Sequence, residues 1–320
     1  MIARRGLLVA GATALAAPSH AQADAFPRRP ITIIAPLAPG GPVDVLARIL
    51  AAGFQARSGQ PAAVENRTGG AGNIGIEAVR RAPADGTTML VIPAGNLTIN
   101  PTLLRNLPFD VERDFAPVAM LATAPNVVIA QPALPVRDIA GLVALARRRA
   151  LSYGSPGVGS QLHLAMELLA LKADIPLTHV PYRGTGPALN DLIGGQIELM
   201  ASNLPALFPA IQAGQARALA MTTAARSTLV PEVPTLTEAG YPMDVTSWYG
   251  LLVPRATPAP VVAAIFAEAE RILRAPETEP RMRAQALEVV CEPPEPFAAR
   301  LRRETAQWAE VIRDRRITVD

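Results

Sequence analysis

The chain has 320 residues, 50% of them hydrophobic and 18% charged, which is enough apolar material for a sizeable core and for two domains, and excludes intrinsic disorder. A formal net charge of +3 without a clustered basic face excludes a nucleic-acid surface. The single Cys291 excludes an internal disulfide.

In chain order, the opening segment MIARRGLLVAGATALAAPSHAQA has a basic start, an apolar middle and small residues, Ala21 and Ala23, before a cut ahead of Asp24. It reads as an export signal over residues 1–23. Arg4-Arg5 fits a twin-arginine signal and equally an ordinary secretory one, so both routes stay open. The apolar run from Leu7 to Ala17 is too short for a retained membrane span. Cys291 lies far from the cut, so no lipid-accepting cysteine stands there. Losing Arg4 and Arg5 leaves the mature chain near +1.

Short β-branched runs then alternate with helical patterns: ITIIAP, the helix VDVLARILAAGFQARSG, AAVEN, a helix from about Ile74 to Arg81, and TMLVIPA. This βαβαβ order predicts an α/β domain with a mainly parallel sheet. After FAPVAML the pattern restarts with NVVIA, helix IAGLVALARRR, LSYGS, helix QLHLAMELLALKA, LTHVPY, helix PALNDLIGG, IELMAS, a helix near Leu204 to Ala213, and RALAMT. Arg147-Arg148-Arg149 reads as the solvated end of its helix. A turn-rich stretch leads to the strand SWYGLLVP and to helices around Pro258–Arg274, Glu277–Ala286 and Pro296–Arg315. The chain is thus expected to return to its first domain, giving domain 1 as 24–124 and 246–320 and domain 2 as 125–245. Crossings near Ala122–Asn126 and Thr246–Gly250 are expected to form the hinge, and a cleft between two such domains suits a small molecule.

Four strand-to-helix loops are rich in glycine: APLAPGGPVD, ENRTGGAGNIG, YGSPGVGSQLH and YRGTGPALND. Gly41-Pro42 and Gly186-Pro187 place a glycine at an expected N-cap and a proline at the first helical position. Asp44 falls in a first turn, and Ser160 is the expected N-cap of the third helix. Glycine admits close backbone approach, and a helix start offers unpaired N–H donors with partial positive charge. Such an end favours an anion by about 0.3–1 kcal/mol, up to about 2 when partly buried. Two facing loops of this kind suffice for a carboxylate; any one of them alone is equally a tight turn.

Gly70-Ala71-Gly72-Asn73-Ile74-Gly75 fits the dinucleotide pattern G-x-G-x-x-G, but the acidic residue required after the next strand is missing, with Ala94, Gly95 and Asn96 there instead. It reads as a tight turn. YGSPG lacks the first glycine of a nucleophile elbow, Tyr153 standing in its place. Ser160 and His163 share a helical turn as a nucleophile and base would, without an evident orienting acid. His163 is read as a polar residue at a helix start, with cleft lining as a further reading, and His179 as a strand residue. No metal-ligand spacing and no cofactor motif is found.

The succession APGGPVDVLAR, VENRTGGAGNIG, DGTTMLV, INPTL, LPFDVERDFAPVA, YGSPGVGSQLHLAMELL, HVPYRGTGPALNDLIGGQIELM, RALAMT, RSTLVPEVPTLTEAGYP and WYGLLVP resembles the substrate-binding receptors of tripartite tricarboxylate transporters, the Bug family. It covers essentially the whole mature chain. The resemblance implies a two-domain periplasmic binding protein, type II-like, with a ligand cleft between two mainly parallel sheets flanked by helices. It implies capture of a small carboxylate and delivery to membrane permease subunits, no catalysis, and a monomer. A sensing receptor that reports the ligand to a membrane sensor uses the same fold and stays open. Loops matching Pro39-Gly40-Gly41 and Ser155 to Ser160 are implied to hold the carboxylate, with Arg183-Gly184-Thr185-Gly186 and the stretch after IELM completing the pocket. The expected ligand-binding set is Pro39, Gly40, Gly41, Asp44, Ser155, Gly159, Ser160, His163, Gly184, Thr185 and Asn203. Leu37 replaces a common Phe, and Ala201-Ser202 stand where Phe-Asp is frequent. If they line the cleft, the lost ring and charge favour a bulkier or purely acidic ligand over an amino acid; the other reading is that they only repack the residues behind the pocket wall.

Overall fold

The computed structural model describes Pro27 and residues 29–319; the expected export signal and its cut lie outside the described residues. The strands are β1 (Ile31–Ala35), β2 (Ala62–Asn66), β3 (Thr88–Pro93), β4 (Phe115–Ala124), β5 (Asn126–Ala130), β6 (Leu151–Ser155), β7 (Leu177–Pro181), β8 (Leu199–Asn203), β9 (Arg217–Met221), β10 (Ser247–Pro254) and β11 (Glu288–Glu292). They form two sheets, ordered β11-β4-β10-β3-β1-β2 and β7-β6-β8-β5-β9. The sheets are mixed. β1 runs parallel to β2 and β3, and β6 parallel to β7 and β8, each successive pair joined by the crossover helix that parallel strands require. β4, β10 and β11, and β5 against β8 and β9, pair antiparallel. Most strands of each sheet still run one way, as expected; what makes the sheets mixed is β10 and β11 in the first and β5 in the second, which run against the rest.

Sequence signals fix the helix ends. The helix Pro42–Ser58 starts behind Gly41 and stops at Gly59, whose left-handed backbone (φ 69°) lets its N–H reach the Gln55 carbonyl. The helix Gln161–Ala173 is capped by the Ser160 hydroxyl, which accepts from the His163 N–H. One expectation shifts: the helix after β7 spans Thr185–Ile193, so Gly184 and not Gly186 is its N-cap. Gly184 sits at φ 111°, a backbone that glycine alone adopts cheaply, and this starts the helix two residues ahead of Pro187. The inner parallel strands β1 and β3 are buried on both faces and covered by helices; Ile33, Leu46, Phe54, Met89 and Val91 share one core, and Val128, Leu151, Leu164 and Leu199 another. Full burial of each such side chain is worth about 1.5–3 kcal/mol.

The chain leaves the first sheet at Pro125, between β4 and β5, and returns between β9 and β10. A third link joins the lobes. The last helix, Pro294–Asp314, packs Phe297 and Leu301 into a core of the first sheet and Trp308, Val311 and Ile312 into that of the second.

Candidate functional site

Both lobes repeat one topology. From β1 the chain crosses to β2 on one side and then to β3 on the other; from β6 it crosses to β7 and then to β8. The carboxyl ends of β1 and β6 are therefore topological switch points, where successive helices diverge to opposite faces and leave a crevice. The loops there are Pro36–Gly41 and Pro156–Ser160, two of the glycine-rich stretches.

In the first loop Pro39 and Gly40 are exposed, and a Cβ added at Gly40 or Gly41 meets no atom within 4 Å. Gly40 needs glycine for its backbone (φ 90°), whereas Gly41 (φ −83°) is extended and does not. Asp44 differs from its expected role. It is 4% exposed, and its carboxylate accepts from the Gly40 N–H (3.0 Å), Arg48 Nε (3.0 Å) and Asn66 Nδ2 (3.0 Å). Burial opposes its ionisation, but these hydrogen bonds from Arg48, Gly40 and Asn66 hold its carboxyl below the usual range. Asp44 thus shapes the loop and ties it to the end of β2. At this helix start Gly41, Val43 and Asp44 have N–H groups that no carbonyl of the helix can reach.

The second loop uses most of its own donors. Gly157 N–H donates to Ser155 Oγ (3.2 Å), Gly159 N–H to His163 Nδ1 (3.1 Å) and Ser160 N–H to the Gly157 carbonyl (3.2 Å). The next loop is fastened to it through Gly184 N–H on the Pro156 carbonyl and Tyr182 N–H on that of Ser155, both 3.1 Å. The unclaimed donors of helix geometry are those of Gln161 and Leu162, and of Thr185 and Gly186. A Cβ at Gly184 or Gly186 also meets open space. A Cβ at Gly159 would stand 2.1 Å from Leu103 Cδ2 of the first lobe, and Gln161 Nε2 donates to the Thr246 carbonyl (3.0 Å). The second loop thus lies against the first lobe.

Where the lobes join, Asn126 is fully buried. Its Nδ2 donates to the Val245 carbonyl (3.0 Å), and its Oδ1 accepts from Asn203 Nδ2 (2.7 Å) and Ser247 Oγ (3.0 Å). It thereby connects both crossings to Asn203 at the end of β8. Thr185 Oγ1 bonds Ser202 Oγ at 2.7 Å.

Pro39, Gly40, Gly41, Gly159, Ser160, Gly184, Thr185 and Asn203 thus stand at strand ends around the two switch points. Ser155 is fully buried, its hydroxyl 2.7 Å from His179 Nε2. His163 is 4% exposed and lies beneath the loop, not along a cleft. Its ring stacks on His179, centroids 3.8 Å apart. Burial, and secondarily the Arg315 guanidinium, lowers the His163 pKa to about 4. Burial and the adjacent His163 do the same for His179, also to about 4. Ser160 Oγ is occupied by the His163 backbone N–H, and the imidazole Nδ1 by Gly159, so the two side chains do not pair as nucleophile and base. Sequence reasoning missed Asn126, Glu167 and Arg315, although Asn126 opening an otherwise apolar strand and Glu167 four residues after His163 were visible signals.

This fold and paired arrangement of loops define a two-lobed solute-binding protein. The chain belongs to the tripartite tricarboxylate transporter receptor family (TctC), whose model matches residues 46–317. A UPF0065 protein of Pseudomonas sp., from the tcbD-tcbE intergenic region, is 37% identical over 100% of this chain and 96% of its own length. Protein BugT of Bordetella pertussis is 34% identical over 98% and 97%. Among solved structures, Rpa4515 of R. palustris with adipate is 34% identical with a TM-score of 0.76, covering 92% of this chain and 99% of that one. MatC of Rhodopseudomonas palustris with bound malate is 32% identical, TM-score 0.72, covering 90% and 100%.

Proposed function

We propose that this protein is an exported receptor that captures a small organic acid between its lobes and delivers it to a membrane permease. The observation that carries the reading is the repetition of one site in both lobes: a glycine loop at a switch point, followed by a helix start with unclaimed N–H donors. Each charge-assisted hydrogen bond contributes about 1.5–3 kcal/mol, so four of them, about 6–12 kcal/mol in sum, span the roughly −8 kcal/mol of a micromolar ligand. Gly41 with the first turn behind it, Gln161 and Leu162, and Thr185 and Gly186 are the proposed donors, with Pro39, Gly40, Ser160 and Asn203 shaping the walls. Relatives solved with adipate and malate support a carboxylate as the class. The crossings at Pro125 and ahead of β10 are the proposed hinge between residues 24–124 with 246–320 and residues 125–245, and ligand shifts the population toward closure. Export to the periplasm and removal of residues 1–23 belong to the same reading.

The test is a thermal-shift screen of the mature protein against dicarboxylates, tricarboxylates, aromatic acids, acidic amino acids and neutral amides. Acids that raise the melting temperature support the reading; stabilisation by neutral amides alone defeats it.

A further inference from the structure

Beneath the loop Ser155–Ser160 lies a buried polar cluster larger than capping requires. Tyr153 on β6 and His179 on β7 are register partners and present their rings to the same face of the sheet. The helix Gln161–Ala173 lays His163 and Glu167, one turn apart, onto that face. Tyr153, His163 and His179 are mutually stacked within 28° of parallel. Glu167 accepts from the Tyr153 hydroxyl (2.5 Å) and from Arg315, just past the end of the last helix, and lies 3.9 Å from His163 Nε2.

One assignment of protons fits these contacts. His163 Nδ1 accepts the Gly159 N–H, so its proton sits on Nε2, toward Glu167. Ser155 Oγ accepts from Gly157 N–H and, with His179 protonated at Nε2, from that ring too, leaving its own proton for the Gly157 carbonyl at 3.0 Å. Each imidazole therefore directs one nitrogen at the loop. A buried carboxylate is costly unless paired, and Glu167 is held by two partners at that depth.

We propose that the stacked pair His163 and His179 is the positioning device of the ligand loop, with Glu167 and Arg315 fixing which nitrogens carry protons. The proposal rests on reading Ser155–Ser160 as a ligand loop. Doubly protonated rings would aim N–H at the Gly159 N–H and set like charges 3.8 Å apart, so the loop holds its form only while both are neutral. Through Arg315 the same chain reaches the helix that packs in both lobes, which ties loop geometry to lobe position.

The test is NMR of the full mature protein without ligand, comparing wild type with His163→Phe, which keeps a ring but no acceptor, and His163→Asn, whose amide oxygen can replace Nδ1. Gly159 amide exchange is expected to accelerate at least about tenfold in His163→Phe, as one lost hydrogen bond implies, and to return toward wild type in His163→Asn, with β6 and β8 amides unchanged. Imidazole nitrogen spectra of the wild type give a folding-independent arm: Nδ1 of His163 is expected bare, with no titration above pH 5. Unchanged Gly159 exchange in His163→Phe, a proton on Nδ1, or titration near the ordinary histidine value overturns the proposal. Adipate and malate titrations, expected to weaken about tenfold in His163→Phe and recover in His163→Asn, connect the device to binding. If neither acid binds the wild type, the choice of carboxylate fails while exchange and tautomer still decide the positioning role.

Discussion

Replacing both stacked histidines by amides that keep their hydrogen bonds, His163→Asn with His179→Gln, should flatten the loss of stability in mild acid. In the folded protein each ring stays neutral down to about pH 4, against an ordinary value of 6.5. The folded pKa lies below the unfolded one, so on acidification the unfolded chain takes up these protons first. The rings contribute nothing against unfolding above pH 7, and stability falls progressively as pH drops from about 6.5 toward 4. Integrating the linkage between pH 7 and pH 5 gives about 2 kcal/mol per histidine, and about 3–4 for the pair with the partial exposure of His179 discounted. Asp44, Asp85, Asp114 and Glu198, whose carboxyls are held low, remain ionised in both states across this window and lose their contribution only below it. Buried Glu304, raised chiefly by desolvation, works in the opposite direction, but equally in both proteins. Urea unfolding followed by the fluorescence of Trp248 and Trp308, both 1% exposed, reads the difference. Wild type should lose about 3–4 kcal/mol more than the double variant between pH 7 and pH 5. Parallel curves would refute the buried, neutral assignment.

Three further outcomes follow from named contacts. Gly53→Ala should destabilise by about 1–3 kcal/mol, because the new Cβ lies 2.4–2.7 Å from three Ile272 side-chain atoms where the helices Pro42–Ser58 and Ala259–Leu273 cross; denaturant melts check it, and an unchanged midpoint denies that close crossing. Asn126→Asp should destabilise more than Asn126→Ala at pH 7, since a buried carboxylate would replace the donor to the Val245 carbonyl, and the gap should narrow in acid; equal midpoints would show that this junction is not the tight polar node described. Intact-mass measurement of periplasmic protein should place its N-terminus near Asp24, and a full-length species in the membrane fraction would contradict export with cleavage.

Much of the fold is legible locally because helix starts and stops are local chemistry. Ser160 caps its helix through its own hydroxyl, and the span Gln161–Ala173 follows from the apolar pattern that Ser160 precedes. SWYGLLVP is β10 as read, Ser247–Pro254. The short helices Ala94–Thr98, Asn100–Leu103 and Val111–Asp114 escaped, being too brief to show a period, as did β11, a half-polar edge strand recognisable only by pairing with β4. Gly186-Pro187 looked like a helix start by the proline rule, but the left-handed Gly184 overrode it. At the site, the exposed glycines were legible because their backbone freedom is a property of one residue. His163 was not: it reads as polar and cleft-facing until strand register brings His179 beneath it and a residue 152 positions on, Arg315, reaches its neighbour Glu167. Long-range register of this kind leaves no local trace.

The central claim is that backbone N–H groups at the two switch points hold a carboxylate, and calorimetric titration of adipate against its neutral diamide, on wild type and Gly41→Val, tests it most directly. Gly41 has an ordinary extended backbone, and its added Cβ meets nothing within 4 Å, so the variant should fold as wild type does, losing no more than the N-cap preference of glycine over valine, about 1 kcal/mol. Its side chain would occupy the space in front of the first-turn donors. The account predicts that adipate binds wild type, that the diamide binds at least about tenfold more weakly, and that Gly41→Val loses about 1.5–3 kcal/mol or more of adipate affinity. Equal binding of acid and diamide, or a normally folded Gly41→Val that binds adipate as tightly as wild type, would contradict it.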